Sequence, residues 1–379
     1  MFIHCTNKML DKLNVQPETD TEQGDGNGLF SWHANITRIN GRQSAVFMNN
    51  NSQYVIVLFG LKAKDFSRMD SLFKQAIRMV WREEGIKEIL IDDYLARAGG
   101  VQFGKTKNRS FVARLNRSCK EMTIFEKEIN SEQLIQSGLS IQTSKLLAGD
   151  GKGGYIHPNE VLYEGLQQLY GGGIFSVRAV EVNVQLMLET REVWRRMVIP
   201  LNRTFPQLHK ILQEAFGWWN SHLHEFYVFE RLQREAGLSY NHPGLMSDGT
   251  QALVNLVSNQ EAFDYPDEIP MQLEAGIKLS EYLPAAKQLI YVYDFGDDWR
   301  HRIDVMDVIE SYPSNHPVCL DGTGEAPPED VGGEGGYADF LAIMDNPEHP
   351  DHAHMKRWAG SQLYEAFDLK RINRILKRL

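Results

Sequence analysis

An acidic turn brings three carboxylates, a histidine and a tryptophan together in this sequence. The apolar stretch 289–293 leads into Asp294-Phe-Gly-Asp-Asp298, and the stretch 299–305 leads out with Trp299 and His301. This pattern predicts two strands joined by a tight turn. Asp294, Asp298 and His301 carry oxygen and nitrogen atoms that could bind a divalent metal or exchange protons. The alternative interpretation is structural: the aspartates cap the turn, and His301 packs on the core face with Ile303.

Two histidines further upstream have a spacing that suits metal binding. His222 and His224 lie two residues apart in the predicted strand 222–229, so their side chains should share one face. Neutral imidazoles placed in this way can chelate a transition metal. The alternative is that one histidine packs in the core and the other contacts solvent.

A proline- and glycine-rich loop follows the turn in sequence. It contains Pro327-Pro-Glu329-Asp330 followed by Val331 and two glycines. A rigid loop of this kind could direct Glu329 and Asp330 at the acidic turn, or its acids could cap the next helix. The sequence does not identify a cofactor, but these side chains could bind a divalent metal.

The segment 101–120 is strongly basic and contains no acid. It could bind phosphate groups or an acidic partner through Lys105, Lys107, Arg109, Arg114 and Arg117. Gly99 to Thr106 also matches the spacing of a phosphate-binding P-loop. That loop requires a strand before it and a helix directly after it. Because residues 86–98 are predicted to be helical, we do not expect a P-loop here and instead predict a strand at 101–105 followed by a helix that begins near Ser110.

The N-terminal region has its own candidate residues at predicted strand ends. These residues are His4, Cys5, Trp32, His33 and Asn35. A Cys5–His33 pair would resemble a nucleophile and its base. His4 is an unsuitable base for Cys5 because adjacent strand residues point to opposite faces. Structural roles are the alternative interpretation for all five.

The elements that position these residues predict an α+β fold with two domains. Strands at 32–39, 44–48 and 54–61, followed by a helix with Phe73, Ile77 and Val80 at helical spacing, indicate an antiparallel sheet with helices over residues 1–170. Gly171-Gly-Gly173 is the predicted linker.

The second predicted domain covers residues 176–379. A hairpin at 177–200, a capped helix from Thr204 and a strand at 222–229 give a ββαβ order. This order predicts a β-grasp-like sheet, which is followed by helical extensions.

Composition narrows the classes of function. Residues 1–175 carry 21 Lys and Arg against 19 Asp and Glu, whereas residues 176–379 carry 19 against 31. The acidic half should therefore repel nucleic acid, and only the N-terminal domain is a candidate for binding it. The sequence has three scattered cysteines and no secretory signal, which predicts a reduced, cytoplasmic protein. It also has no long apolar run, which predicts that it has no membrane segment.

The C-terminal motifs, taken in order, resemble the plasmid pRiA ORF-three-like family. The resemblance rests on Phe216-Gly-Trp218, the stretches 222–226 and 293–301, Pro327 to Gly333, Gly336-Tyr337 and Phe367-Asp-Leu. Relatives often carry a cysteine where this chain has Ala326. They are often labelled as transposon passengers or resolvase-like. The resolvase label is not supported here, because the sequence has no recombinase constellation and this half is acidic.

The N-terminal half resembles a small bacterial domain of unknown function. The matching residues are His4-Cys-Thr6, Ser31 to Asn35, Tyr54 to Phe66, Lys105-Thr106 and Asn108-Arg-Ser110. Neither resemblance implies an established reaction.

These observations lead to three hypotheses. The first is a binding or regulatory protein, similar to accessory proteins of bacterial plasmids and mobile elements, whose partner is a protein or a small ligand. The second is a metal-dependent hydrolase or nuclease that uses His222, His224, Asp298 and His301. The third is a nucleic-acid-binding protein that uses residues 101–120.

Overall fold

The computed structural model describes residues 1–18, 28–189, 191–231, 238–239, 242–265 and 268–379. It divides into two compact units, Met1–Ser176 and Val177–Leu379. The glycine run predicted as a linker lies just before this division. Gly171 ends a helix there in the left-handed conformation (φ 66°), which a residue without a Cβ adopts at little cost.

The first unit is built on a five-stranded sheet of order β4-β3-β2-β1-β5. Its strands are β1 (Phe2–Cys5), β2 (Ser31–Ile39), β3 (Arg42–Asn49), β4 (Val55–Leu58) and β5 (Gln102–Lys105). β2, β3 and β4 are antiparallel, as expected. β1 is parallel to both β2 and β5, so the sheet is mixed and the expectation of a wholly antiparallel sheet was wrong in this detail. Helical connections allow the parallel pairings, since parallel neighbours need a crossover. A further pair, β6 (Ala148–Gly149) and β7 (Tyr155–Ile156), lies outside this sheet.

The helices of the first unit cover the sheet. They are α1 (Asn7–Leu13), α2 (Ala63–Phe66), α3 (Met69–Glu83), α4 (Glu88–Ala98), α5 (Arg109–Glu121), α6 (Ser137–Lys145) and α7 (Pro158–Tyr170), with a 3₁₀ segment at Met122–Glu128. α3 buries Phe73, Ile77 and Val80 at the predicted helical spacing. The Phe73 ring lies 4.1 Å from the Phe47 ring of β3, which anchors this helix on the sheet.

The second unit contains an eight-stranded sheet of order β14-β13-β10-β15-β16-β8-β9-β17. Its strands are β8 (Val177–Leu186), β9 (Val193–Pro200), β10 (His224–Phe229), β13 (Val254–Val257), β14 (Met271–Leu273), β15 (Gln288–Tyr293), β16 (Trp299–Tyr312) and β17 (Val318–Thr323); β11 (Leu238–Ser239) and β12 (His242–Met246) form a separate pair. β13 and β14 are parallel, and the other neighbours in the large sheet are antiparallel.

The main helix of this unit, α8 (Phe205–Phe216), begins where the sequence indicates. Thr204 and Gln207 form a reciprocal capping box, and Pro206 occupies the first turn. The helix packs its apolar face on the sheet through Phe205, Leu208 and Leu212. The remaining helices are α9 (Gly333–Met344), α10 (His352–Ser361) and α11 (Leu369–Leu376), with 3₁₀ segments at Gln260–Asp264 and Leu279–Glu281.

The α+β class and the two-domain arrangement are confirmed. The ββαβ order is present as β8, β9, α8 and β10. The β-grasp-like description of this domain stays a prediction. Among the helices that the structure describes, none is both long and apolar enough to cross a bilayer.

Candidate metal centre

The turn between β15 and β16 holds Asp294 in a fixed orientation. Asp294 adopts a left-handed conformation (φ 57°), and its Oδ1 atom accepts the amides of Gly296 at 3.0 Å and Asp297 at 3.4 Å. Its own amide donates to the carbonyl of Leu223 at 3.0 Å. These bonds leave Oδ2 as the atom that faces away from the turn, as expected for an aspartate that stabilises a turn with one oxygen.

Glu329 is buried beside this turn. Its Oε1 atom accepts the Trp219 amide at 2.7 Å and the Tyr293 hydroxyl at 2.9 Å. Its Oε2 atom is buried and has no hydrogen-bond partner among the described residues. A buried carboxylate oxygen without a partner is costly, so a ligand that satisfies it would stabilise this arrangement.

His222 lies between these carboxylates. Its Nε2 atom is 3.0 Å from Asp330 Oδ1, 3.6 Å from Asp294 Oδ2 and 3.8 Å from Glu329 Oε2. The same nitrogen is buried and makes no hydrogen bond of acceptable geometry within the described residues. We call His222, Asp294, Glu329 and Asp330 the His222 cluster.

The geometry of the His222 cluster suits a metal ion. Ligand atoms of His222, Asp294 and Asp330 lie within 4.8 Å of one another. A metal with bonds of about 2.0–2.2 Å places its ligand atoms roughly 3–4.4 Å apart. A ligand set of one imidazole and several carboxylates favours Mn²⁺, Fe²⁺ or Zn²⁺ over Ca²⁺, because Ca²⁺ prefers ligands that are all oxygen atoms.

His224 does not join His222, because β10 begins at His224 and His222 precedes the strand. The predicted strand 222–229 therefore started two residues too early. The ring of His224 stacks on His209 with centroids 3.5 Å apart, and its Nε2 atom lies 2.9 Å from Glu274 Oε1. His224 thus belongs to a buried polar network next to the cluster.

His301 and Asp298 also lie outside the cluster. His301 is fully buried against the rings of Phe216 and Trp218, on the same face as Ile303, as strand alternation predicted. Burial lowers the pKa of His301 to about 3, so its ring is neutral at physiological pH. Asp298 is half exposed and forms an ion pair with Arg300 at 2.8 Å.

Sequence reasoning missed Tyr293, Glu274 and His209. Tyr293 orients Glu329, Glu274 pairs with His224, and His209 bonds Tyr291 at 2.8 Å and Asn220 at 2.6 Å. Burial next to His224 lowers the pKa of His209 to about 3. Tyr293 had a usable signal, since it directly precedes the acidic turn. Glu274 had none, because it is 50 residues from His224.

Cys5 and His33 do not have the pKa values expected of a nucleophile and its general base. Burial raises the pKa of the Cys5 thiol to about 12. His33 bonds Asn50 at 2.6 Å and Thr106 at 3.0 Å through its two ring nitrogens, and burial lowers its pKa to about 4. Its ring stacks between His4 and Phe111, with each pair of centroids 4.7 Å apart.

The other N-terminal candidates make contacts within the fold. Trp32 is buried and its indole donates to the Tyr94 hydroxyl at 3.3 Å. Asn35 accepts from Thr6 at 2.8 Å and donates to Asn116 at 3.0 Å. These contacts connect β2 to the start of α1, to α4 and to α5.

The basic residues of the segment 101–120 fall into two groups. Arg114 donates to the carbonyl of Asp150, and Arg117 pairs with Glu121 and donates to the carbonyl of Leu147. The remaining four are exposed and form no ion pair in the described part of the chain: Lys105, Lys107, Arg109 and Lys120. Lys105 ends β5, Arg109 begins α5, and α4 precedes the glycines, so a helix lies where a P-loop has its leading strand.

Together, the fold and the His222 cluster define a two-domain α+β protein with a histidine–carboxylate site beside a hairpin turn. The family model described as "Plasmid pRiA4b ORF-3-like protein" matches residues 178–375, and the chain belongs to that family. A second model, "Domain of unknown function (DUF6933)", matches residues 2–161. Both resemblances seen in the sequence are confirmed.

Individual relatives resemble about half of the chain. "Uncharacterized protein y4hQ" of Sinorhizobium fredii (strain NBRC 101917 / NGR234) is 33% identical over 175 residues, which are 46% of this chain and 77% of that protein. The crystal structure of the "Protein of Unknown Function MM3350" from Methanosarcina mazei Go1 is 27% identical and covers 52% of this chain and 97% of its own, with a TM-score of 0.40.

Proposed function

We propose that this protein binds a divalent transition metal through the His222 cluster and acts as a metal-dependent binding or regulatory protein. The observation that carries the proposal is the convergence of two buried atoms that lack hydrogen-bond partners among the described residues, His222 Nε2 and Glu329 Oε2. A metal would satisfy both atoms at once. Two further carboxylates, Asp294 and Asp330, would complete its ligands.

The surroundings of the cluster support a pre-organised site. Tyr293 and the Trp219 amide hold one oxygen of Glu329, and the turn amides hold one oxygen of Asp294. Each of these carboxylates therefore presents its other oxygen toward His222. Such outer hydrogen bonds orient ligands and typically contribute 10–100-fold to metal affinity.

Metal analysis and titration test this proposal. Protein purified without a histidine tag is stripped with a chelator and titrated with Mn²⁺ and Zn²⁺ by calorimetry. We expect one site, and about a tenfold or greater loss of affinity in His222→Ala and in the isosteric Glu329→Gln. Asp298→Asn changes a neighbouring carboxylate outside the cluster and should bind as the wild type does. Equal binding by all four proteins, or no binding by any, would refute the proposal.

A hydrolase or nuclease is the second candidate, because one side of the cluster is open. The Asp330 side chain is 67% exposed, whereas Glu329 is 3% exposed. Catalytic metal sites keep such an open position for water or substrate. The test is Mn²⁺- or Zn²⁺-dependent hydrolysis of bis-p-nitrophenyl phosphate and its loss in Glu329→Gln. Tight metal binding without turnover would leave the binding role alone.

The biological setting belongs to the same proposal. The family description refers to a plasmid, which supports a role as an accessory protein of bacterial plasmids or mobile elements. The cytoplasm is the compartment in which its three cysteines would stay reduced. Nucleic-acid binding in this setting would use Lys105, Lys107 and Arg109. Charge reversal at Lys105 and Lys107 should then abolish DNA or RNA binding, while reversal at Arg117 should have less effect.

A further inference from the structure

A cavity of about 480 Å³ lies in the C-terminal unit, next to the chain segment that contains Glu329. Trp219 lines this cavity while its amide bonds Glu329, and Pro327 and Pro328 line it just before Glu329 in the chain. The volume falls in the range typical of small-molecule sites. The cavity is separate from the His222 cluster, because none of the four cluster residues lines it.

A buried cation with an unused donor forms part of the cavity wall. Arg195 is 2% exposed, and it donates to the carbonyls of Ala215, Trp194, Thr323 and Gly324 at 2.7–3.0 Å. A guanidinium has five N–H groups, so one N–H on Nη2 has no acceptor in the described part of the chain. All four acceptors are neutral, and burial lowers the pKa of Arg195 only to about 10. The positive charge therefore persists at neutral pH; Glu325 interacts with it electrostatically, but among the described residues no carboxylate accepts a hydrogen bond from it.

The cavity also presents an unused acceptor and aromatic surface. Gln362 Oε1 is buried without a hydrogen-bond partner among the described residues. Trp219 is 48% exposed, and Tyr364 lies on the same lining. A planar ring can stack on such side chains, and a donor on the ligand would satisfy the Gln362 oxygen.

The acids on the lining compete little for an anionic ligand. Glu365 pairs with Arg371, and Asp368 accepts the amides of Lys370 and Arg371 at the start of α11. Burial raises the pKa of Glu214 above its ordinary value. Lys210, in contrast, is exposed and has no ion pair within the described residues.

We propose that this cavity binds a small aromatic molecule with one anionic group and one hydrogen-bond donor. The anion would contact Arg195 and Lys210, the ring would lie against Trp219, and the donor would meet Gln362 Oε1. This proposal does not rest on metal binding by the His222 cluster.

The probe is 8-anilinonaphthalene-1-sulfonate, which carries aromatic rings, a sulfonate and one N–H group. With the full chain we expect saturable binding at one site, detected by energy transfer from tryptophan. Indole-3-acetate should compete, whereas the neutral indole-3-ethanol should compete about tenfold less well, because it lacks the anion. Equal competition by the two indoles would overturn the assignment of the anion site.

Variants locate the binding. Lys210→Glu and Gln362→Leu should each weaken binding about fivefold or more, since each removes a polar contact of the ligand. Lys287→Glu reverses an exposed charge outside this lining and should leave affinity unchanged. Equal weakening in Lys287→Glu, or no weakening in the two cavity variants, would refute the proposal. His222→Ala should bind the probe as the wild type does, which separates this site from the metal centre.

Discussion

Burial makes His301 a base that resists protonation in the folded chain. Its pKa falls to about 3, whereas an exposed histidine in the unfolded chain titrates near 6.5. Below pH 6.5 the unfolded state therefore binds a proton that the folded state does not bind. The contribution to stability is complete above pH 6.5 and is lost as the pH falls from about 6.5 toward 3.

This difference predicts a pH-dependent loss of stability that can be assigned to one side chain. Between pH 7.5 and pH 5, His301 should account for a loss of about 2 kcal/mol in the free energy of unfolding. His301→Leu should lose that much less over the same interval, as measured by urea unfolding followed by tryptophan fluorescence. His354→Ala, which changes an exposed histidine, should keep the wild-type slope. An unchanged slope in His301→Leu would contradict the neutral, buried state.

The three cysteines are poor nucleophiles in the folded protein. Burial raises the thiol pKa of Cys5 and Cys119 to about 12 and that of Cys319 to about 11. At pH 8 only about one thiol in a thousand or fewer would be ionised. We predict that native protein reacts with Ellman's reagent no faster than it unfolds, and that three thiols react in 8 M urea. Rapid labelling of Cys5 in the native protein, located by mass spectrometry, would revive it as a nucleophile.

The loop that leads into α9 sets the position of Asp330. Asp330, Gly332 and Gly333 all have positive φ values (57°, 92° and 69°), so the chain turns sharply between β17 and the helix. The Gly332 amide donates to Asp297 Oδ2 at 3.1 Å, which ties this loop to the β15–β16 turn. A Cβ on Gly333 would lie 3.2 Å from the carbonyl oxygen of Asp297.

Gly333→Ala should therefore destabilise the protein by about 1–2 kcal/mol, through left-handed strain and this close contact. It should also weaken metal binding, because Asp330 lies on the same loop. Gly335→Ala is the matched control, since it lies in the first turn of α9, a Cβ there would contact nothing within 4 Å, and alanine favours the helix. Urea unfolding and Mn²⁺ titration of both variants measure the effects. A stable Gly333→Ala with normal affinity would show that this loop adapts freely.

Alternation and capping explain which elements were predictable. The period of two placed Trp299, His301 and Ile303 on one buried face, and Thr204 marked the start of α8. The start of β10 was misplaced by two residues, since the strand begins only at His224. His222 stays a candidate ligand, but the geometric argument that paired it with His224 was wrong.

The long-range strand pairings could not be predicted from sequence patterns. The parallel register of β1 with β5 joins Phe2 to Gln102, and no local periodicity encodes it. The convergence of His222 with Glu329 likewise spans more than a hundred residues. The order of motifs in the C-terminal half, by contrast, was sufficient to indicate the family, which residues 178–375 confirm.

Each unit has its own buried cores. The buried residues of the apolar clusters lie between residues 3 and 175 in the first unit and between residues 180 and 376 in the second. The whole His222 cluster and the cavity lie in the second unit. A domain with a complete core can in principle fold alone.

We therefore predict that the fragment Val177–Leu379 folds cooperatively and keeps the metal affinity of the full chain within about twofold. The fragment Met1–Ser176 should fold as well and bind no metal at the corresponding concentration. Circular dichroism during urea unfolding tests folding, and Mn²⁺ titration tests the site. A cut made ten residues later, at the end of β8, removes a strand that pairs with both β9 and β16, so that fragment should unfold. If Val177–Leu379 aggregates or loses the metal while the full chain retains it, the N-terminal unit contributes to the stability of the second.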